Sequence, residues 1–176
     1  MTLACDLRCR HCGSRAGRAR PDELSLHEAL DLVDQLADLG VQEVTLIGGE
    51  VYLYRGWQRV AEAIAARGLS CALVSGGRGL TPRVARQALE AGVQSVSVSI
   101  DGTEATHDAL RGVDGSYRAA RAALANCREA GLAIALNTQV NRRNLGELDA
   151  LCDLLLAEGC HGWQLMMTVP ADRRYL

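Results

Sequence analysis

The chain switches repeatedly between two hydrophobic periods. Val41 to Ile47 is a β-branched apolar run that ends at Gly48 and Gly49. Trp57 to Arg67 then has helical spacing, with Val60, Ala61, Ile64 and Ala65 on one stripe, and stops at Gly68. Leu69 to Val74 reads as a short strand ending in Ser75, Gly76 and Gly77. Thr81 before Pro82 is an N-cap with proline at the first helical position, and that helix runs to Gly92. Val93 to Ile100 is a strand in which Val96, Val98 and Ile100 alternate with polar residues. Tyr117 to Ala130 is a helix stopped by Gly131; Leu132 to Val140 is a strand, Leu145 to Ala157 a helix and His161 to Val169 a strand. Ahead of all these, Leu24 to Leu39 is an amphipathic helix opened by the capping box of Ser25 and Glu28.

Apolar strands joined by helices predict a parallel sheet buried on both faces, each repeat of roughly 25–35 residues being one right-handed βαβ crossover. With Met1 to Ala4 taken as the end of a first strand, the pattern has six strands and five helices. The expected fold is α/β: one domain over residues 1–176, a partial (β/α)6 TIM-like barrel of parallel strands lacking its last helix. Where a sixth helix is expected after Val169, the chain runs through Asp172, Arg173 and Arg174 to Leu176. The first strand is also at the short end for a strand. Both ends are therefore expected to be truncated.

Composition narrows the function classes. The chain is 48% hydrophobic and 23% charged, as a globular domain is, and its net charge of −2 provides no field for nucleic acid or an anionic membrane. No apolar run reaches membrane-span length and no signal peptide precedes Cys5, so a cytoplasmic location is expected. All 19 basic residues are arginine. No physical function asks for zero lysine, and the bias reads as one of base composition. Seven cysteines in a reducing compartment suggest thiols or metal ligands rather than disulfides. Cys71, Cys127, Cys152 and Cys160 lie in apolar stretches and are expected to be small buried hydrophobes.

Candidate chemistry concentrates where a parallel fold places it, at the carboxyl ends of the strands. Cys5, Cys9 and Cys12 follow the first strand in a C-x3-C-x2-C spacing. Three thiolates are one fewer than a closed metal site takes, which leaves one coordination position open. Gly48, Gly49 and Glu50 follow the second strand, Ser75, Gly76 and Gly77 the third. Ser97, Ser99, Asp101 and Gly102 end the fourth, Asn137, Thr138 and Gln139 the fifth, Gln164, Met166 and Met167 the sixth. Each alone has a plainer reading: a tight turn for the glycine pairs, a solvated carboxylate for Glu50, a turn dipeptide at Asp101. His107 and Asp108 read as the start of the segment before the next helix. The five arginines from Arg8 to Arg20 read as a solvated loop in preference to a surface for an acidic redox partner or a substrate carboxylate. The convergence of four strand ends is what points to a cofactor site.

These residues resemble the radical S-adenosylmethionine (radical SAM) superfamily, over essentially the whole chain. Cys5, Cys9 and Cys12 match its cysteine signature, with His11 at the position before the last cysteine; Gly48, Gly49 and Glu50 match its GGE motif after the second strand. The resemblance implies that the three thiolates hold a [4Fe–4S] cluster. It implies that S-adenosylmethionine chelates the fourth iron and is cleaved on one-electron reduction to a 5′-deoxyadenosyl radical, which abstracts hydrogen from substrate. Glu50 would accept from the methionyl ammonium, with the Gly48 and Gly49 backbone close to the ligand. His11 would lie near the adenine, and Ser99 and Asp101 at the ribose hydroxyls. Arg111 would pair with the methionyl carboxylate, and Asn137 and Val140 would flank the nucleoside. An electron donor such as a flavodoxin or ferredoxin is the implied partner. The segments around Ser97 to Gly102 and Leu136 to Asn144 look like those of members with a SPASM-type extension, many of which modify peptides, so a peptide substrate is an implied possibility.

The chain departs from the family pattern in two places: Val51 follows Glu50 where proline is usual, and Ser75, Gly76 and Gly77 replace a common Thr-Asn-Gly. Two alternatives stay open. One is a truncated, non-catalytic member of the family. The other is a zinc module, for which His11 adjoins Cys12 too closely, His27 lies on a helix, and the glycine–glutamate motif has no purpose. The sequence marks neither a catalytic acid, base or radical relay nor the substrate.

Overall fold

The structure, a computed structural model, describes residues 1–168. Five strands, β1 (Glu43–Leu46), β2 (Ser70–Ser75), β3 (Ser95–Ser99), β4 (Ala133–Val140) and β5 (Gly162–Met167), form one sheet in the order β1-β2-β3-β4-β5, every pair parallel. The order never reverses. Right-handed crossovers then put every helix on the same face, and the sheet curls into a half-barrel instead of being sandwiched.

The helices are α1 (Leu26–Asp38), α2 (Trp57–Ala66), α3 (Pro82–Glu90), α4 (Glu104–Arg111), α5 (Ser116–Ala130) and α6 (Leu148–Glu158). Ser25 and Glu28 close the expected capping box on α1, and Thr81 accepts the Val84 N–H at the start of α3. The outward face of the sheet, Cys71, Leu73, Val96, Val98, Ile134 and Leu136, is buried under Ile64 of α2, Ala85 and Ala88 of α3, and Ala120, Ala123 and Leu124 of α5. Each fully buried Ile or Leu contributes about 1.5–3 kcal/mol.

The other face is different from the expected doubly buried sheet. Its rows, in register, are Ala72, Ser95 and Ala133; then Val74, Ser97, Ala135 and Gly162; then Ser99, Asn137 and Gln164. Most of these residues are half-buried. Five strands do not close a cylinder, so nothing fills the concave side, and small and polar residues line it.

Two further expectations are corrected. Met1 to Ala4 is not a ladder strand: it forms a single bridge from Ala4 to Gly17 and lies beside the exit of β1. There, Gly49 N–H donates to Thr2 O at 2.6 Å and Glu50 N–H to Ala4 O at 2.8 Å. His107 and Asp108 lie inside a helix, α4, whose eight residues are too few for a clear periodic signal. The expected end of the last strand at Val169, and the Asp172 to Leu176 segment, lie outside the described residues. Among the other cysteines Cys71 and Cys127 are buried, as expected, and burial pushes their thiols up to about 11 and about 12. Cys160 is half-buried, and Cys152 is exposed on α6.

Candidate cofactor site

The cysteine loop is held from two sides. Against β1, Gly48 and Gly49 let the 1–4 segment approach. A Cβ on Gly48 would sit 2.5 Å from Thr2 O, and one on Gly49 would sit 2.7 Å from the Ala4 carbonyl carbon. Against α4, Arg8 N–H donates to Arg111 O at 3.0 Å and Arg10 N–H to Leu110 O at 2.9 Å. Helix α4 ends in Gly112 with φ +67°, and a Cβ there would fall 2.5 Å from Arg8 O. The loop therefore takes up carbonyls that a helix C-terminus leaves without partners.

All three thiols are half-buried. Cys9 Sγ accepts from Arg111 Nη1 at 3.7 Å, Cys5 Sγ from the Leu7 N–H at 3.5 Å and Cys12 Sγ from the Ala16 N–H at 3.3 Å. Burial pushes the Cys5 thiol up to about 11; it also raises Cys9, against the opposing pull of Arg111. Among the described residues, the one trio of His, Cys, Asp or Glu ligand atoms lying within 4.8 Å of one another is Cys5, Asp6 and Glu50. Cys5, Cys9 and Cys12 are thus spread more widely than a single tetrahedral zinc would hold them, since Zn–S bonds of about 2.3 Å bring sulfurs to about 3.8 Å. A multi-iron cluster suits that spread.

Glu50 follows β1 and is fully buried. Its Oε2 accepts from Ser75 Oγ at 2.8 Å and its Oε1 from the Gly76 N–H at 2.6 Å. Burial pushes its carboxyl up to about 7, in spite of the bonds from Ser75 and Gly76. A carboxylate balanced between its two forms in this way is suited to a cationic partner, which would restore the ionised form. The adjoining Asp6 accepts from Tyr52 OH at 3.0 Å, and Tyr52 in turn accepts the Gly79 N–H at 2.9 Å.

At the exits of β3 and β4 stands a second buried charge. Asp101 is completely enclosed; its Oδ2 lies 2.7 Å from Arg111 Nη2 and 3.2 Å from His11 Nε2, and its Oδ1 accepts the Gln139 N–H at 2.9 Å. Burial alone would raise the Asp101 carboxyl, but Arg111 and His11 hold it below the usual carboxylate value. Asp101 N–H donates to His107 Nδ1 at 3.1 Å, so the proton of this imidazole sits on Nε2. Burial, with Arg111 nearby, pushes His107 down to about 4, and its ring stands edge-on to Tyr117 at 5.8 Å.

The fold thus links Cys9, Arg111, Asp101 and His11 in one bonded set, joins Cys12 to it through its N–H on Cys9 O, and places Glu50 beside Cys5. Ser99 and Asn137 sit opposite each other in register at the end of β3 and within β4; Val140, at the end of β4, is buried. Asn137 Oδ1 and His11 Nδ1 are buried without a hydrogen-bond partner, as acceptors or donors awaiting a ligand would be. Sequence reasoning overlooked Ser75 as the residue orienting Glu50, His107 beneath Asp101, and Asn144. Asn144 is fully buried, and its Nδ2 donates to Asp101 O at 2.7 Å and to Gln139 O at 2.9 Å. The five arginines from Arg8 to Arg20 are exposed and pair with no carboxylate among the described residues, as a solvated loop would.

A parallel half-barrel with a three-cysteine loop and two buried carboxylates at its carboxyl end is the frame of a metallocofactor enzyme. A model of the radical SAM superfamily matches residues 1–155, and the chain belongs to that family, whose members use a [4Fe–4S] cluster and S-adenosylmethionine. The chain is 32% identical over 175 residues to an AdoMet-dependent heme synthase of Nitratidesulfovibrio vulgaris, covering 98% of this chain and 48% of that protein. It is 33% identical over 156 residues to the mycofactocin maturase MftC of Mycobacterium tuberculosis, covering 88% of this chain and 40% of that one. The fold matches Streptococcus suis SuiB bound to S-adenosylmethionine with a TM-score of 0.84 at 14% identity, covering 98% of this chain and 40% of SuiB. The chain therefore spans about half the length, or less, of the proteins it matches. No helix among the described residues is long and apolar enough to cross a membrane.

Proposed function

We propose that this chain is the cofactor-binding core of a radical SAM enzyme. Cys5, Cys9 and Cys12 would ligate a [4Fe–4S] cluster, and Glu50, His11, Ser99, Asn137 and Val140 would hold S-adenosylmethionine, with the Gly48 and Gly49 backbone alongside. The observation that carries the reading is the wide, half-buried trio of thiols beside a buried, cation-seeking glutamate. Once bound, this pair of groups supplies reductive cleavage of the sulfonium and a 5′-deoxyadenosyl radical for hydrogen abstraction.

The chain's own residues do the rest. Ser75 and Gly76 fix the Glu50 carboxylate so that it can receive an ammonium by charge-assisted hydrogen bonds. Asp101 pairs with Arg111 and His11 through Oδ2 and accepts the Gln139 amide at Oδ1; in this reading it orients Arg111 and His11 toward the cofactor, and Ser99, Asp101 and Asn137 stand where the ribose would lie. Arg111 lies between Cys9 and Asp101, where it offsets thiolate charge. The electron would come from a flavodoxin- or ferredoxin-like donor.

A peptide is one substrate reading, supported by the likeness to MftC and by the fold match to SuiB bound to its precursor peptide SuiA, at a TM-score of 0.79 and 16% identity. A tetrapyrrole is the second, supported by the 32% identity to a heme synthase.

The test is anaerobic reconstitution with iron and sulfide. About four irons per chain are expected, with an electron-resonance change on adding S-adenosylmethionine. Cys9→Ala should abolish cluster binding while Cys127→Ala retains it; zinc uptake without iron refutes the proposal. A good cluster that yields no 5′-deoxyadenosine after reduction would identify an inactive core.

A further inference from the structure

Helix α4 holds the cysteine loop at its C-terminal end, through the Leu110 and Arg111 carbonyls and the Arg111 side chain. Its N-terminal end is held by a residue from a distant segment. The N-cap Thr103 makes no side-chain bond to its own helix. Instead Glu147, on the turn leading into α6, reaches across: its Oε2 accepts the Thr103 N–H at 2.6 Å and its Oε1 accepts from Thr106 Oγ1 at 2.5 Å. A carboxylate at a helix N-terminus also interacts favourably with the helix dipole. From the same turn, Asn144 Nδ2 donates to Asp101 O, just upstream of α4. The segment from Asn144 to Glu147 thus grips both the approach to α4 and its first turn.

We propose that Glu147 is a positioning residue for the cysteine loop, acting through α4 as a rigid rod. Eight helical residues span about 12 Å, so Glu147 touches neither the loop nor any ligand of it. Helix α4 has flank contacts as well. Asp108 accepts the Gly115 and Tyr117 N–H groups and the Ser116 hydroxyl, and His107 packs on Tyr117. These fix the helix against α5, and Asp101 ties His107 and Arg111 to the exit of β3, whereas the Glu147 bonds tie its first turn to the turn before α6. Loss of the Glu147 tie lets that turn shift, and the rigid helix carries the shift to the bonds at Arg8 and Arg10. That the positioned sulfurs hold a cluster rests on the function proposed above; the mechanical coupling does not.

The experiment is amide hydrogen exchange on the chain without added iron, comparing wild type, Glu147→Gln and Glu104→Gln. Glu104 is on the first turn of the same helix, paired at 3.5 Å with exposed Arg118. Glu147→Gln keeps the shape but loses the charge and one acceptor oxygen. The Arg8 and Arg10 amides should exchange about tenfold faster, while the Leu73 and Val96 amides of the β2–β3 ladder stay protected. Glu104→Gln should change neither set. Faster exchange confined to Thr103 and its neighbours, with Arg8 and Arg10 unmoved, overturns the proposal. Should Glu147→Gln not fold, Thr106→Val removes one of the two bonds and should speed Arg8 and Arg10 by about threefold; no change there overturns it equally. In reconstituted protein, Glu147→Gln should lose iron to a chelator faster than wild type. Wild type that takes up no iron would refute the proposed function and leave the exchange result to decide this one.

Discussion

Gly49→Ala tests the joint between the cysteine loop and the sheet. A Cβ at residue 49 would sit 2.7 Å from the Ala4 carbonyl carbon and 2.9 Å from Leu3 O, and closer still to Ala4 O. All three are backbone atoms, so no flexible side chain can swing aside. The two segments must separate, breaking the 2.6 Å bond from Gly49 N–H to Thr2 O and the 2.8 Å bond from Glu50 N–H to Ala4 O. Overpacking costs about 1–3 kcal/mol and each of the two hydrogen bonds about 0.5–1.5 kcal/mol net, which gives a central figure of about 4 kcal/mol. At about 2–4 °C per kcal/mol for a domain of this size, the unfolding midpoint should fall by about 8–16 °C. The assay is thermal unfolding by circular dichroism, with hydrogen exchange at the Glu50 and Gly17 amides. If the 1–4 segment peels away while the rest stays folded, the midpoint falls less, but the Gly17 amide, bonded to Leu3 O at 2.8 Å, loses protection. Gly146→Ala, where a Cβ meets nothing within 4 Å, is the control. A Gly49→Ala protein whose midpoint is unchanged and whose Glu50 amide stays protected would refute the close-approach reasoning.

Other consequences can be measured directly. His107, pushed by burial and Arg111 to about 4, contributes stability that is present above its ordinary value of 6.5 and is lost as pH falls through 4, about 3 kcal/mol in all. Urea midpoints between pH 7 and pH 4 should therefore drop more steeply for wild type than for His107→Gln, and parallel slopes would contradict this. Asn144→Ala removes donors to Asp101 O and Gln139 O and the acceptor for the Asn141 N–H at 2.7 Å, and should cost about 3 kcal/mol in urea unfolding. A loss below about 1 kcal/mol would mean water replaces those bonds. On native protein without iron, iodoacetamide should alkylate exposed Cys152 and spare Cys71 and Cys127; labelling of all three at one rate would contradict their burial.

Sequence patterning located the elements with long apolar stretches. The strands around Val44, Leu73, Val96 and Leu136, and the helices around Val33, Ile64 and Leu124, lie where their hydrophobic periods put them, within a few residues. It failed where the signal was short or non-local. Helix α4 is eight residues, and its polar His107 and Arg111 are buried because they pair with one another's neighbours, not because they are apolar. Met1 to Ala4 looked like a strand, but its partners are the Gly48 to Glu50 exit and Gly17, too few for a ladder. Cys152 sits in an apolar run yet faces solvent, since α6 buries only Leu151 and Glu158 fully.

The sequence by itself determined the cofactor class and the class of fold. Three cysteines at close spacing, a glycine pair before a glutamate, and a β/α period are local features that need no tertiary context to be read. Only the tertiary structure decided how those parts are held. Burial pushes the Glu50 carboxyl up to about 7, Asp101 pairs with Arg111 and His11 and accepts the Gln139 amide, and α4 links Glu147 to the cysteine loop across the site. Apart from the Asp101–Arg111 pair, ten residues apart, these follow from pairings between residues 25 to 102 positions apart. No local period encodes them, because they exist only once the apolar face of the sheet has been buried and its strand ends brought together.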